Sequence, residues 1–155
     1  MALAFERRIA PARERRPTPC GEESEGRLQV AVVFTSGAAT AAALRKAGAL
    51  AGRLNGRITL LVPQIVPYPL PLETPPVLLD FSEQRLRQLA LESAVETTIR
   101  IYLCRDRIAT LKAVLARRSL VVIGGRRRLW WRTREQSLAR QLRHAGHEVI
   151  FTETE

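Results

Sequence analysis

The sequence predicts an α/β domain, a parallel β-sheet with helices on both faces. Three observations carry that prediction. Short runs of Val, Ile and Leu alternate with longer stretches whose apolar residues recur at helical spacing. Turn clusters such as "TSG", "LNG" and "HAG" separate these segments. The chain has 155 residues, 46% of them hydrophobic, enough for one domain with a real core and hardly enough for two.

Residues 1–27 carry Pro11, Pro17, Pro19, six arginines and five glutamates, with no sustained apolar period. They read as a disordered or loosely attached arm, leaving 28–155 as the domain. A short helix around Leu3 to Ile9 would be marginal on its own. "LQVAVVF", from Leu28 to Phe34, reads as a strand buried on both faces. The alanine-rich stretch after "TSG" reads as a helix ended by Asn55-Gly56. Its small residues Ala43, Ala47, Gly48 and Ala51 would let it lie close to a sheet. "RITLLVP" is the second strand, expected to end at Pro63.

Residues 63–76 hold six of the nine prolines, so a stiff extended connection is expected there. Its apolar residues Ile65, Val66, Tyr68, Leu70 and Leu72 favour packing on the domain over display as a polyproline ligand. "DFSEQRLRQLALES" is the second helix, with Phe81, Leu86, Leu89 and Ala90 on its inner side. "VETTIRIYL" alternates like a strand near a sheet edge. Asp106 can cap the third helix, "RIATLKAVLARR", before a fourth buried strand, "LVVI". Thr133 and Gln136 have capping-box spacing for the fourth helix. "EVIFT" is the fifth strand, an apolar edge in need of cover.

The formal net charge is +10, and residues 105–144 account for all of it. They contain eleven arginines and Lys112 against Asp106 and Glu135. A basic half-domain attracts nucleic acid, nucleotides, acidic lipid or acidic protein. A GC-rich genome would also favour arginine over lysine. No apolar run reaches the ~20 residues of a membrane helix. Cys20 and Cys104 lie far apart in no metal-like spacing, so a reducing cytoplasm is the expected setting.

In a parallel sheet, ligands bind beyond the carboxyl ends of strands where strand order reverses. The candidate ligand positions are therefore Thr35, Ser36 and Gly37 after the first strand, and Gly124 and Gly125 after the fourth. Val62, at the end of the second strand, joins them. Arg126, Arg127 and Arg128 would stand beside the crevice as anion-recognition groups. Their alternative role is a solvated loop stacked on Trp130 and Trp131. The tryptophans could stack a base or cover a partner surface, with Val149 and Phe151 as further partner positions. Ser36 lacks the frame of a nucleophile elbow. His144 and His147 lack an evident third metal ligand. No catalytic constellation emerges, and no metal site is assigned.

The segments "VAVVFTSGAATAAALRKAGALAGRLNGRITLLVP" and "SLVVIGGRRRLWWRTREQSLARQLRHAGHEVIFTE" resemble a universal stress protein domain over roughly residues 28–153. The loop with arginines and tryptophans also resembles, more weakly, the stress-protein-like domain of potassium-sensor histidine kinases. The resemblance implies a single three-layer domain with a five-stranded parallel sheet of order 3-2-1-4-5 and four helices, the adenine nucleotide alpha hydrolase-like architecture. It implies a binding or regulatory role in stress response rather than turnover, and a homodimer paired through the last strand. Family members that bind ATP carry an aspartate at the end of strand one. After strand four they carry Gly, two residues, Gly, nine residues, Gly, then Ser or Thr. Here the aspartate position falls on Thr35 and the first glycine on Gly124. The second glycine position falls on Arg127, and the terminal pair on Gln136-Ser137 in a loop one residue short. Ser137 is thus retained while the aspartate and two glycines are lost. Arg127 and Gln136 would crowd a backbone phosphate cradle, so the usual ATP mode is not expected. The alternatives are a nucleotide or phosphate ligand held by Arg126, Arg127 and Arg128, and, less favoured, a nucleic-acid module.

Overall fold

The computed structural model describes residues 4–9, 28–73 and 79–154. Its elements in chain order are strand β1 (Ala4–Ile9), β2 (Gln29–Val33), helix α1 (Gly37–Arg53), β3 (Arg57–Ile65) and α2 (Leu79–Ala90). Then follow β4 (Thr97–Cys104), α3 (Arg107–Val114), β5 (Leu120–Gly125), α4 (Arg134–His144) and β6 (Glu148–Glu153). All strands join one sheet, in the order β1-β4-β3-β2-β5-β6. Strands β2 to β6 run parallel, and β1 alone is antiparallel, paired with β4. The chain is therefore α/β, as expected, with a mixed sheet of six strands in place of a purely parallel sheet of five.

The additional strand comes from the segment read as part of a loose arm. Residues 4–9 are neither helical nor detached; residues 10–27 lie outside the described residues. Ile9 is buried in the core opposite Ile99. On the same side of the strand, Arg7 Nε meets Glu83 of α2 at 2.5 Å, with Asp80 at 3.5 Å. Glu6 accepts from Arg8 at 2.8 Å. A six-residue strand with two adjacent arginines has no strong pattern of its own; its partners on β4 and α2 hold it. It also covers β4, whose alternation suggested an exposed edge.

Helices α1 and α2 pack on one face of the sheet, α3 and α4 on the other. The first core joins Leu44, Ala47 and Ala51 of α1 and Leu86 of α2 to Val30, Val32, Leu60, Ile101 and Val122. The second joins Leu111, Leu138 and Leu142 to Val33, Leu61, Val121 and Ile123. Leu44, Leu111 and Leu142 are fully buried, each contributing roughly 1.5–3 kcal/mol of transfer free energy. Phe81 does not join the core as expected; it is 59% exposed, and Leu86 anchors α2 instead.

The caps follow the sequence closely. Ser36 Oγ accepts from Ala39 N–H, Asp106 accepts from Ile108 and Ala109, and Thr133 forms the full capping box with Gln136. Gly146, with φ +95°, turns the chain after α4. Helix α3 stops at Val114, four residues before the expected Arg118, because Leu115 is extended. Strand β3 continues through Pro63 to Ile65. Strand β2 ends at Val33 opposite Leu61, so Pro63 faces no ladder on that side and its missing N–H costs nothing. Beyond it, Arg105 donates to the carbonyls of Val66 (2.6 Å) and Leu70 (2.5 Å) and stacks on Tyr68. Leu70 and Leu72 pack on the first core, so this part of the proline-rich connection lies against the domain.

Candidate functional site

Strand order reverses between β2 and β5, and the crevice beyond their carboxyl ends is the first candidate. Its polar groups bond to one another. Thr35 Oγ1 donates to the Gly124 carbonyl at 2.8 Å, and Thr35 N–H donates to the hydroxyl of buried Thr40 at 3.1 Å. Gly124 is packed against the start of α1, where an added Cβ would overlap the Ala39 carbonyl. Its glycine is required for helix–strand approach, the same need that a phosphate cradle would present. Gly37 opens α1 with free space around it, beside exposed Ser36. Val62 is buried in the α1/α2 core. Ser137 is half-buried in the first turn of α4, four residues past its cap. Thr35, Ser36, Gly37 and Gly124 thus gather near the ends of β2 and β5, whereas Val62 belongs to the packing beneath them and Ser137 lies on α4.

Gly125 faces the other way. A Cβ there would lie 2.7 Å from Glu135 Cβ and 3.0 Å from Phe151 Cζ, so it admits α4 and β6. On that side a groove of about 530 Å³ runs between the loop after β5, the exposed flank of α4 and the end of β6. Arg127, Arg128, Arg132, Arg140 and Arg143 line it, with Glu153 the only acidic group in its wall. Leu129, Gln136, Ala139 and Phe151 complete the lining. Arg127 pairs with Glu153 at 3.0 Å, and Arg143 donates to the Val149 carbonyl at 3.0 Å. Arg128 and Arg132 have no hydrogen-bond or ion-pair partner among the described residues. Guanidiniums gathered in one concavity repel one another, and a multivalent anion relieves that repulsion through bidentate bonds.

The sequence reading placed Arg127 and Arg128 beside the ligand crevice; they line the groove on the opposite side of β5's end. Arg126 is exposed and absent from the groove wall, and its carbonyl accepts from Thr133 Oγ1 at 3.2 Å. Val149 is buried against α4, whereas Phe151 is half-buried and reaches the groove. Trp130 and Trp131 stand clear of the domain surface. Arg132, Arg140 and Arg143 were missed by sequence reasoning. The signal was there: 136, 139, 140 and 143 fall at helical spacing on one face of α4.

Two other groups are accounted for structurally. His147 is buried, its Nδ1 accepting from Ser119 N–H at 3.2 Å, and His144 Nε2 accepts from Arg140 at 3.4 Å. Among the described residues no three His, Cys, Asp or Glu side chains gather as metal ligands. Burial pushes the Cys104 thiol up, the opposite of what a thiolate nucleophile needs. No described helix is long and apolar enough to cross a membrane. No protein-family model matches the chain, and no curated protein matches it significantly.

Proposed function

We propose that this protein is a non-enzymatic binding domain of the universal-stress-protein kind whose ligand is a phosphate-bearing anion held in the arginine groove. The observation that carries the reading is the convergence of Arg127, Arg128, Arg132, Arg140 and Arg143 on one concavity. The self-bonded crevice at Thr35 and Gly124 supports the same view, since polar groups already paired gain little from a ligand. The ATP mode of the resembled family is therefore not adopted; the anion is held by side chains rather than by backbone amides. A regulatory role in stress response and a homodimer come with the resemblance, while the cytoplasmic setting rests on the cysteine usage. The outer edge of β6 carries no strand among the described residues, which suits pairing with a second copy.

Calorimetric titration with pyrophosphate, ATP and AMP, with and without magnesium, tests the reading. Saturable binding is expected, weakened roughly tenfold or more by Arg128→Ala/Arg140→Ala and unchanged by Thr35→Val. Absence of binding at millimolar ligand sinks it. Loss in Thr35→Val alone returns the ligand to the crevice.

A further inference from the structure

The loop after β5 is built unlike the rest of the surface. Its base is closed, because Thr133 Oγ1 donates to the Arg126 carbonyl across seven residues and Arg127 is tied to Glu153. Its apex is apolar and bare. Leu129 is 97% exposed, Trp130 91% and Trp131 77%. Arg128 and Arg132 flank that apex, and residues 126–134 hold five arginines and no acid. The capping box at Thr133 fixes the loop to the start of α4. Three consecutive large apolar side chains held in water are costly unless a partner covers them. The partner must accept indole rings at its boundary and cations around them.

We propose that this loop docks the protein on an anionic lipid surface. Leu129, Trp130 and Trp131 enter the boundary between headgroups and acyl chains, where indoles are favoured. Arg128, Arg132 and Arg134 hold lipid phosphates at the rim, drawn by the negative surface potential of an acidic leaflet. The contact is peripheral, because no described helix can span a bilayer. It goes beyond the groove reading, since the groove could hold a soluble phosphate without the apex entering lipid. A nucleic acid fits less well: bases stack on separate rings along a cationic track, whereas these apolar side chains are contiguous and include a leucine.

Trp130 and Trp131 are the chain's only tryptophans, so tryptophan emission, excited selectively at the red edge beyond tyrosine absorption, reports this loop alone. The full chain is mixed with vesicles of phosphatidylcholine, alone or with phosphatidylglycerol, and with brominated analogues of each. The expected result is a blue shift and bromine quenching with the anionic vesicles only, both reduced by salt. Trp130→Ala/Trp131→Ala, followed by co-sedimentation, lowers partitioning roughly tenfold or more. Arg128→Glu/Arg132→Glu abolishes it while thermal melting stays unchanged. Sedimentation without bromine quenching overturns insertion, and an equal shift with neutral vesicles overturns the anionic requirement. A shift with single-stranded oligonucleotide but none with lipid reassigns the loop to base stacking. Parallel titration with pyrophosphate separates the two readings. Insertion without pyrophosphate binding refutes the groove alone, and pyrophosphate binding without insertion refutes lipid docking alone.

Discussion

The crevice between β2 and β5 and the groove between α4 and β6 flank the end of one strand. In the crevice, the Thr35 hydroxyl bonds the Gly124 carbonyl, and α1 closes down on Gly124. In the groove, guanidiniums stand around an open space and two of them lack partners among the described residues. Fold topology marks the crevice as the binding position, but topology supplies only a place. Side-chain chemistry decides its use. A bonded pair of polar groups exchanges little with a ligand, whereas clustered like charges in water have free energy to gain from an anion.

The adjacent glycines offer the sharpest way to break this contrast. Gly124→Ala drives a methyl group into the Ala39 backbone, which cannot swing away. The expected loss is roughly 3 kcal/mol, or about 6–12 °C in Tm. A wild-type melting temperature would mean that α1 floats at its start and that the crevice can open. Thr35→Val leaves the Gly124 carbonyl without its partner and costs about 1–2 kcal/mol, measured by denaturant titration. Gly125→Ala puts a methyl group 2.7 Å from Glu135 Cβ, which moves only with the start of α4, so its cost is about 1–2 kcal/mol, below that of a clash with the Ala39 carbonyl. If Gly125→Ala proves the more damaging, the groove is the rigid side and the comparison reverses. Arg128→Ala/Arg140→Ala changes stability by under about 0.5 kcal/mol, because both side chains are exposed; a larger drop in Tm would show that the groove is structural.

The smallest effect is a pH slope at the rim of the same sheet. Burial raises the Cys104 thiol above its ordinary value, so the folded chain keeps a proton that the unfolded chain releases first. That contribution is complete below the unfolded value of about 9 and is lost as pH rises through the folded one. Denaturant melts at pH 8 and pH 10 should show a steeper alkaline loss in the wild type than in Cys104→Ala. Equal slopes would place the thiol in contact with water.

Much of the molecule was legible in the chain. Val30 to Val33, Leu120 to Ile123 and the alanine-rich α1 announce themselves by local pattern, and Ser36, Asp106 and Thr133 cap helices as their positions suggested. Phe81 was misread because helical spacing says which residues share a face, not which of them the sheet reaches. Residues 4–9 were misread because their order comes from β4 and from Glu83, far along the chain.

The site divides in the same way. The sequence by itself determined that the positive charge lies between residues 105 and 144, that "RRRLWWR" joins cations to aromatics, and that a β-α alternation surrounds them. These are properties of composition and period, which survive without coordinates. Only the tertiary structure decided that Arg127 and Arg128 turn away from the crevice toward Arg140 and Arg143. It also decided that Thr35 and Gly124 satisfy each other, and that a sixth strand covers β4. Each of these depends on contacts between residues distant in sequence, whose closure is stabilised by the packed sheet and leaves little trace in local pattern.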